Sequence, residues 1–226
     1  MSDIKVDESK VGGLAFYLSL ISFALLAAAN SFNLIKLNLQ SFSWQPWALF
    51  SGGLISGIFI AKLFIRGKLY VFLHELSHAI ISNLVGNKWR ALVVKKNTGH
   101  FEYAYSKETA KYNAFVALAP YWLPLLSLSL GGVAALLLYI NKNYFMLPFV
   151  VAVFYGMDLS MNARDVSPVQ SDITNIRGGY YIGLGYIVVV NLFIFTLFAA
   201  WVSAGFDGLK YLFLELWSLF YLLRQS

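Results

Sequence analysis

Cysteine is absent from the 226 residues, so the chain builds neither disulfides nor thiolate metal sites, and any bound metal must be held by His, Asp or Glu. Charge is scarce as well. Asp, Glu, Lys and Arg make up 12% of the chain, about half the share typical of soluble globular domains. Hydrophobic residues reach 59% and aromatic residues 17%, with a mean hydropathy of +0.65. A water-soluble globule is excluded on these grounds, and an all-α polytopic membrane protein is expected. Internal repeats, low-complexity linkers and aromatic nucleic-acid-binding signatures are also missing. The net charge of +6 therefore points to the lipid bilayer as a partner rather than to nucleic acid, because the basic residues flank apolar runs.

A spanning helix needs about 20 mostly apolar residues. Such runs lie near 11–32, 44–65, 69–86, 112–139, 144–163 and 179–203, giving six expected spans. A seventh apolar helix, 208–224, contains Lys210 and Glu215 and either crosses weakly or lies in the interface. The opening segment "MSDIKVDESK" lacks the basic start of a signal peptide, so the first run is read as an uncleaved membrane helix. A single membrane domain is expected over 1–226. Its parts are a core at about 69–190, N-terminal helices at 11–65 and a C-terminal helix at 204–226.

Two stretches interrupt the apolar pattern. Residues 87–111 read as a β-hairpin: a β-branched run around Leu92–Val94, the turn "KKNTG" with Gly99 supplying flexibility, then the alternation "HFEYAY". Lys88, Arg90, Lys95, Lys96, Lys107 and Lys111 make this the most basic loop, which the positive-inside rule assigns to the cytoplasmic face. In the second stretch, "NARDVSPVQSDITNIRGG" (162–179), Pro168 forbids a continuous helix, and Ser171 is placed to cap a helix beginning near Asp172. The following "GGYYIGLGY" (178–186) favours close helix packing. Pro120 and Pro124 are read as bending the fourth span, with a gate or cavity lining as the alternative.

Histidine is nearly absent too, yet two of the three occur in "FLHELSHAI" (72–80), as His74-Glu75-x-x-His78. On a helix, positions i and i+4 share a face, so both imidazoles can reach one Zn²⁺. Glu75 then points beside the metal, where a carboxylate acts as general base on zinc-bound water. The bland reading is two histidines hydrogen-bonded inside a bundle. Ionisable groups at membrane depth cost several kcal/mol, however, and three within five positions favour a metal. A catalytic zinc takes three protein ligands. The remaining candidates are His100 beside the hairpin turn, Asp158 late in a span, Asp165 beside Arg164, and Asp172. Ser77 has no partner for a triad and is read as packing.

With these motifs, residues 69–190 resemble the site-2 protease type of intramembrane zinc metalloprotease, in particular its short bacterial members without a PDZ domain. That family pairs a membrane-helix H-E-x-x-H with a later Asn-x-x-Pro-x-Pro-x-Leu-Asp-Gly segment, to which "NARDVSPVQSD" is similar through Asn162, Pro168 and Asp172. One proline is missing, and Ile173 stands where the family has glycine. The resemblance implies Asp172 as third zinc ligand and Asn162 as a residue steadying substrate or oxyanion. It also implies that the hairpin receives substrate as an added strand, which makes Gly99 and His100 substrate contacts. The implied activity is hydrolysis of peptide bonds in membrane-spanning or membrane-proximal substrates, in a multi-pass protein of a bacterial cell membrane. The rival readings are a non-hydrolytic metal-binding membrane protein, such as a transporter or sensor, and a membrane scaffold in which His74 and His78 only hydrogen-bond.

Overall fold

Long apolar runs satisfy their backbone polar groups most simply as helices, and the computed structural model, which describes residues 11–225, is mostly helical. Helices α1 (Leu14–Ser41), α2 (Trp44–Phe64) and α3 (Lys68–Leu84) lead into strands β1 (Lys88–Val94) and β2 (Gly99–Ala104). Then come α4 (Asn113–Trp122), α5 (Gly132–Ile140), α6 (Leu147–Arg164), the single turn α7 (Ser171–Thr174) and α8 (Gly179–Gln225). Residues 1–10, with the opening segment discussed above, lie outside the described part.

Four helical stretches are long and apolar enough to cross a membrane: Leu14–Gln40, Trp44–Phe64, Tyr144–Arg164 and Gly179–Ser218. A fifth arises if the bent pair Ala110–Trp122 and Ser127–Ile140 counts as one span. The count is lower than the six spans expected from hydropathy. The 69–86 run forms α3, a 17-residue helix with nine buried residues, Glu75, Ser77, His78 and Ser82 among them, while Leu69, Phe72 and Leu84 stay exposed. The run α8 is divided where Ala204 and Gly205 leave helical geometry, and a Cβ on Gly208 would stand 2.0 Å from the Ala200 carbonyl oxygen, so the C-terminal helix is a separate piece, as expected.

Small residues set the closest helix contact. A Cβ on Gly57 would stand 2.0 Å from the Val153 carbonyl oxygen, and one on Gly156 would stand 2.3 Å from that of Leu54. The α2 and α6 backbones therefore touch directly and run parallel, which brings their C-terminal ends together. In "GGYYIGLGY" Gly183 comes close to Ile173 of α7 and Gly178 to Ile182 of α8, while Gly179 and Gly185 face open space.

The hairpin is a two-stranded antiparallel sheet with Leu92 opposite Phe101 and Val94 opposite Gly99, and a bulge at Arg90. Its turn is closed by Lys95 N–H donating to the Thr98 carbonyl at 2.8 Å. Gly99 lies after that turn, as the first residue of β2. Its lack of a side chain serves proximity, not the turn flexibility expected of it. A Cβ there would lie 2.6 Å from Val71 Cγ1 and 2.9 Å from Glu75 Cγ, so β2 lies directly against α3.

Around the turn α7, Phe16 of α1, Leu118 and Tyr121 of α4, and Tyr186 and Val190 of α8 enclose Ile173 and Ile176, both fully buried. Val11 adds a strand-like bridge. Its N–H donates to the Asn175 carbonyl at 2.9 Å, and its carbonyl accepts from Arg177 N–H at 2.8 Å.

Candidate metal centre

The site is built on one turn of α3. His74 and His78, four residues apart, lie on one helix face with their rings edge to face and centroids 5.1 Å apart, as the helical repeat allows. From the other side α7 delivers Asp172, whose Oδ2 lies 3.5 Å from Nε2 of each imidazole. One ligand atom from each of the three residues falls within 4.8 Å of the others, a group that could hold a metal ion. Among the described residues this is the one such group.

The imidazoles are presented in a form suited to ligation. Pro120 has no N–H, so the Val116 carbonyl four residues earlier in α4 has no helical partner. His78 takes it: Nδ1 donates to that oxygen at 2.7 Å, which leaves the Nε2 lone pair facing Asp172. Pro124 likewise cannot serve the carbonyl of Pro120. Here the Asn162 amide, turned so that its nitrogen faces the acceptors, donates to Pro120 O at 2.9 Å and Asp158 O at 3.1 Å. Asn191 completes the repair with a 2.8 Å bond to the Tyr121 carbonyl. The two prolines do more than bend the chain.

Burial raises the pKa of Asp172, but when Nε2 of His74 and His78 carries a proton the two imidazoles donate to the carboxylate, outweigh burial and hold it well below the usual range. The same Oδ2 accepts from Tyr121 Oη and from Gln170 Nε2, each at 3.3 Å. Tyr121 also sets its ring edge-on to His74, with centroids 5.7 Å apart. Asp172 does not open the spanning helix, and Ser171 forms no cap. The residue sits in a separate turn preceded by Gln170, and α8 begins seven residues later.

A cavity of about 360 Å³ adjoins the three residues and is also lined by Glu75, Gly99 and His100. Glu75 is only 7% exposed. His100 stands at the mouth, more than half exposed, with Nε2 3.2 Å from Glu102 Oε1, and is not part of the ligand group. The two other carboxylates are engaged elsewhere. Asp158 accepts from Leu126 N–H, Ser127 N–H and Ser127 Oγ at 2.6–2.8 Å, closing the chain break after Pro124. Asp165 accepts from Tyr70 Oη. Asn162 faces the carbonyls described above and not the cavity, so the substrate or oxyanion role implied for it has no geometry behind it. Ser77 returns its hydroxyl to the Leu73 carbonyl at 3.0 Å.

Sequence reasoning missed Tyr121, Gln170 and the Val116 carbonyl. Only the last had a signal, since a proline inside a helix always frees the carbonyl four residues before it. Comparison with protein-family models, curated proteins and solved structures returns no match to this chain.

Proposed function

We propose that the chain is an intramembrane zinc metallopeptidase of the site-2 protease type, hydrolysing peptide bonds of membrane-spanning or membrane-proximal segments. The observation behind this reading is the arrival of Asp172 beside His74 and His78, with the Glu75 carboxylate on the same cavity. Separations of 3.5 Å are long for charge-assisted hydrogen bonds. They lie close to the edge of a tetrahedron with bonds of about 2.0–2.1 Å, roughly 3.3 Å, as expected of zinc ligands. The donor set of two nitrogens and one carboxylate oxygen suits Zn²⁺ and leaves a position free for chemistry.

Zinc, when bound, supplies Lewis acidity to the scissile carbonyl and to water at the site. Glu75, one residue from a ligand, accepts the proton that water loses as its oxygen bonds to the carbonyl carbon. It returns the proton to the leaving nitrogen as the C–N bond breaks. Tyr121 and Gln170 hold the Asp172 carboxylate in place through their hydrogen bonds.

A transmembrane helix shields its own carbonyls, so substrate must be extended before attack. The sheet has two strands, and β2 lines the cavity with Gly99, His100 and Phe101. An added peptide strand along β2 would be held extended beside Glu75. His100 at the mouth connects this arrangement with water.

The test compares wild type with Glu75→Gln in detergent, by zinc analysis and by incubation with a panel of single-span peptides. Both proteins should hold about one zinc per chain, with cleavage by the variant reduced about 10²–10⁴-fold. Zinc absent from both, or equal cleavage by both, overturns the proposal. Zinc in both with cleavage by neither transfers the site to the non-hydrolytic reading.

A further inference from the structure

A second and larger cavity, about 740 Å³, lies where the parallel helices α2 and α6 end together. Its walls are apolar, from Ile58 and Ala61 on α2 and Leu159 on α6, while its rim carries Lys62, Arg66 and Arg164. All three cations stand in or just beyond the last turn of a helix able to cross the membrane, the level at which lipid headgroups lie.

None of the three forms an ion pair with a carboxylate among the described residues. The two guanidiniums are nevertheless fixed. Arg164 sits over the Tyr70 ring at 4.3 Å and donates to the Ile65 carbonyl at 3.2 Å, and Arg66 donates through Nε to the Lys62 carbonyl. Each retains N–H donors for another acceptor. The surroundings hold the carboxylate of Asp165, which is engaged by Tyr70 Oη, and several more cations. Lys68 begins α3 at this end, and the hairpin turn with Lys95 and Lys96 comes back to it, the Lys96 carbonyl oxygen lying 3.5 Å from a Cβ built on Gly67.

We propose that this cavity binds an anionic phospholipid, its phosphate between Lys62, Arg66 and Arg164 and an acyl chain along the apolar wall. Charge complementarity selects the headgroup, and the apolar wall below the cations selects a lipid over a free anion. The inference does not depend on the peptidase reading.

The test is native mass spectrometry of the purified protein in detergent, titrated with phosphatidylglycerol, phosphatidylcholine or inorganic phosphate. Phosphatidylglycerol should bind at least about tenfold more tightly than phosphatidylcholine, and inorganic phosphate at equal concentration should not displace it. Lys62→Gln/Arg66→Gln should lower its affinity about thirtyfold, since each cation near an anionic headgroup is worth about fivefold. Lys142→Gln, in the α5–α6 connection at the other end of the bundle, should leave it unchanged. Equal affinity for the two lipids, an unaffected double variant, or displacement by phosphate overturns the proposal. Should the neutral double variant fail to fold, Lys62→Arg/Arg66→Lys keeps the charge and must keep the lipid preference. Losing that preference also overturns it.

Discussion

His78 donates through Nδ1 to the carbonyl of Val116, the acceptor that Pro120 leaves without a helical partner. A helix defect in α4 thus fixes the tautomer of a candidate ligand in α3. Restoring the N–H with Pro120→Ala lets α4 reclaim the Val116 carbonyl. Zinc affinity, measured by competition with a chelator, should fall about 10–100-fold, the range for losing such a support. Thermal stability should not fall with it, because alanine favours the helix. Unchanged affinity would show that the bond does not orient the ring.

Asp172 and His100 separate the competing ligand sets. Asp172→Ala should weaken zinc binding by more than about 100-fold, exceeding the loss of a supporting residue. His100→Ala should leave metal content intact, because its ring pairs with Glu102 at the cavity mouth. Metal analysis after dialysis reads both, and the reverse pattern would move the third ligand to the hairpin.

Asp158 accepts from three donors at the Pro124 break. Asp158→Ala orphans them and should cost about 3 kcal/mol of stability while zinc per folded chain stays constant. A denaturation series paired with metal analysis checks this. Zinc lost without a change in stability would return Asp158 to the list of ligands.

Gly99→Ala places a methyl group 2.6 Å from Val71 Cγ1 and 2.9 Å from Glu75 Cγ. Relief requires β2 to retreat from α3, at about 1–3 kcal/mol. Zinc should be retained, since no ligand moves, whereas peptide cleavage should drop about tenfold or more through misplacement of the strand and Glu75. Cleavage at the wild-type rate would separate the hairpin from catalysis.

The i, i+4 spacing made His74 and His78 legible from sequence alone, and the alternation in "HFEYAY" made the hairpin legible. Asp172 was different. No periodicity connects residue 172 with residue 78, and only the resemblance of "NARDVSPVQSD" to a family segment singled it out. Hydropathy alone did not settle the span count, because it sums apolar residues without showing what surrounds them. α3 buries nine of its 17 residues, and α8 is divided at Ala204 and Gly205. Tyr121 and Gln170 left no local trace, since their roles arise where α4 and α7 meet.

The turn α7 is seated by residues from both directions along the chain: Val11 and Phe16 before it, Tyr186 and Val190 after it. A ribosome-bound chain therefore displays His74, Glu75 and His78 long before Tyr186 and Val190 arrive to complete the seat of Asp172. On the metallopeptidase reading, metal loading would be a late event of biogenesis, timed by completion of the bundle and not by supply of the ion alone.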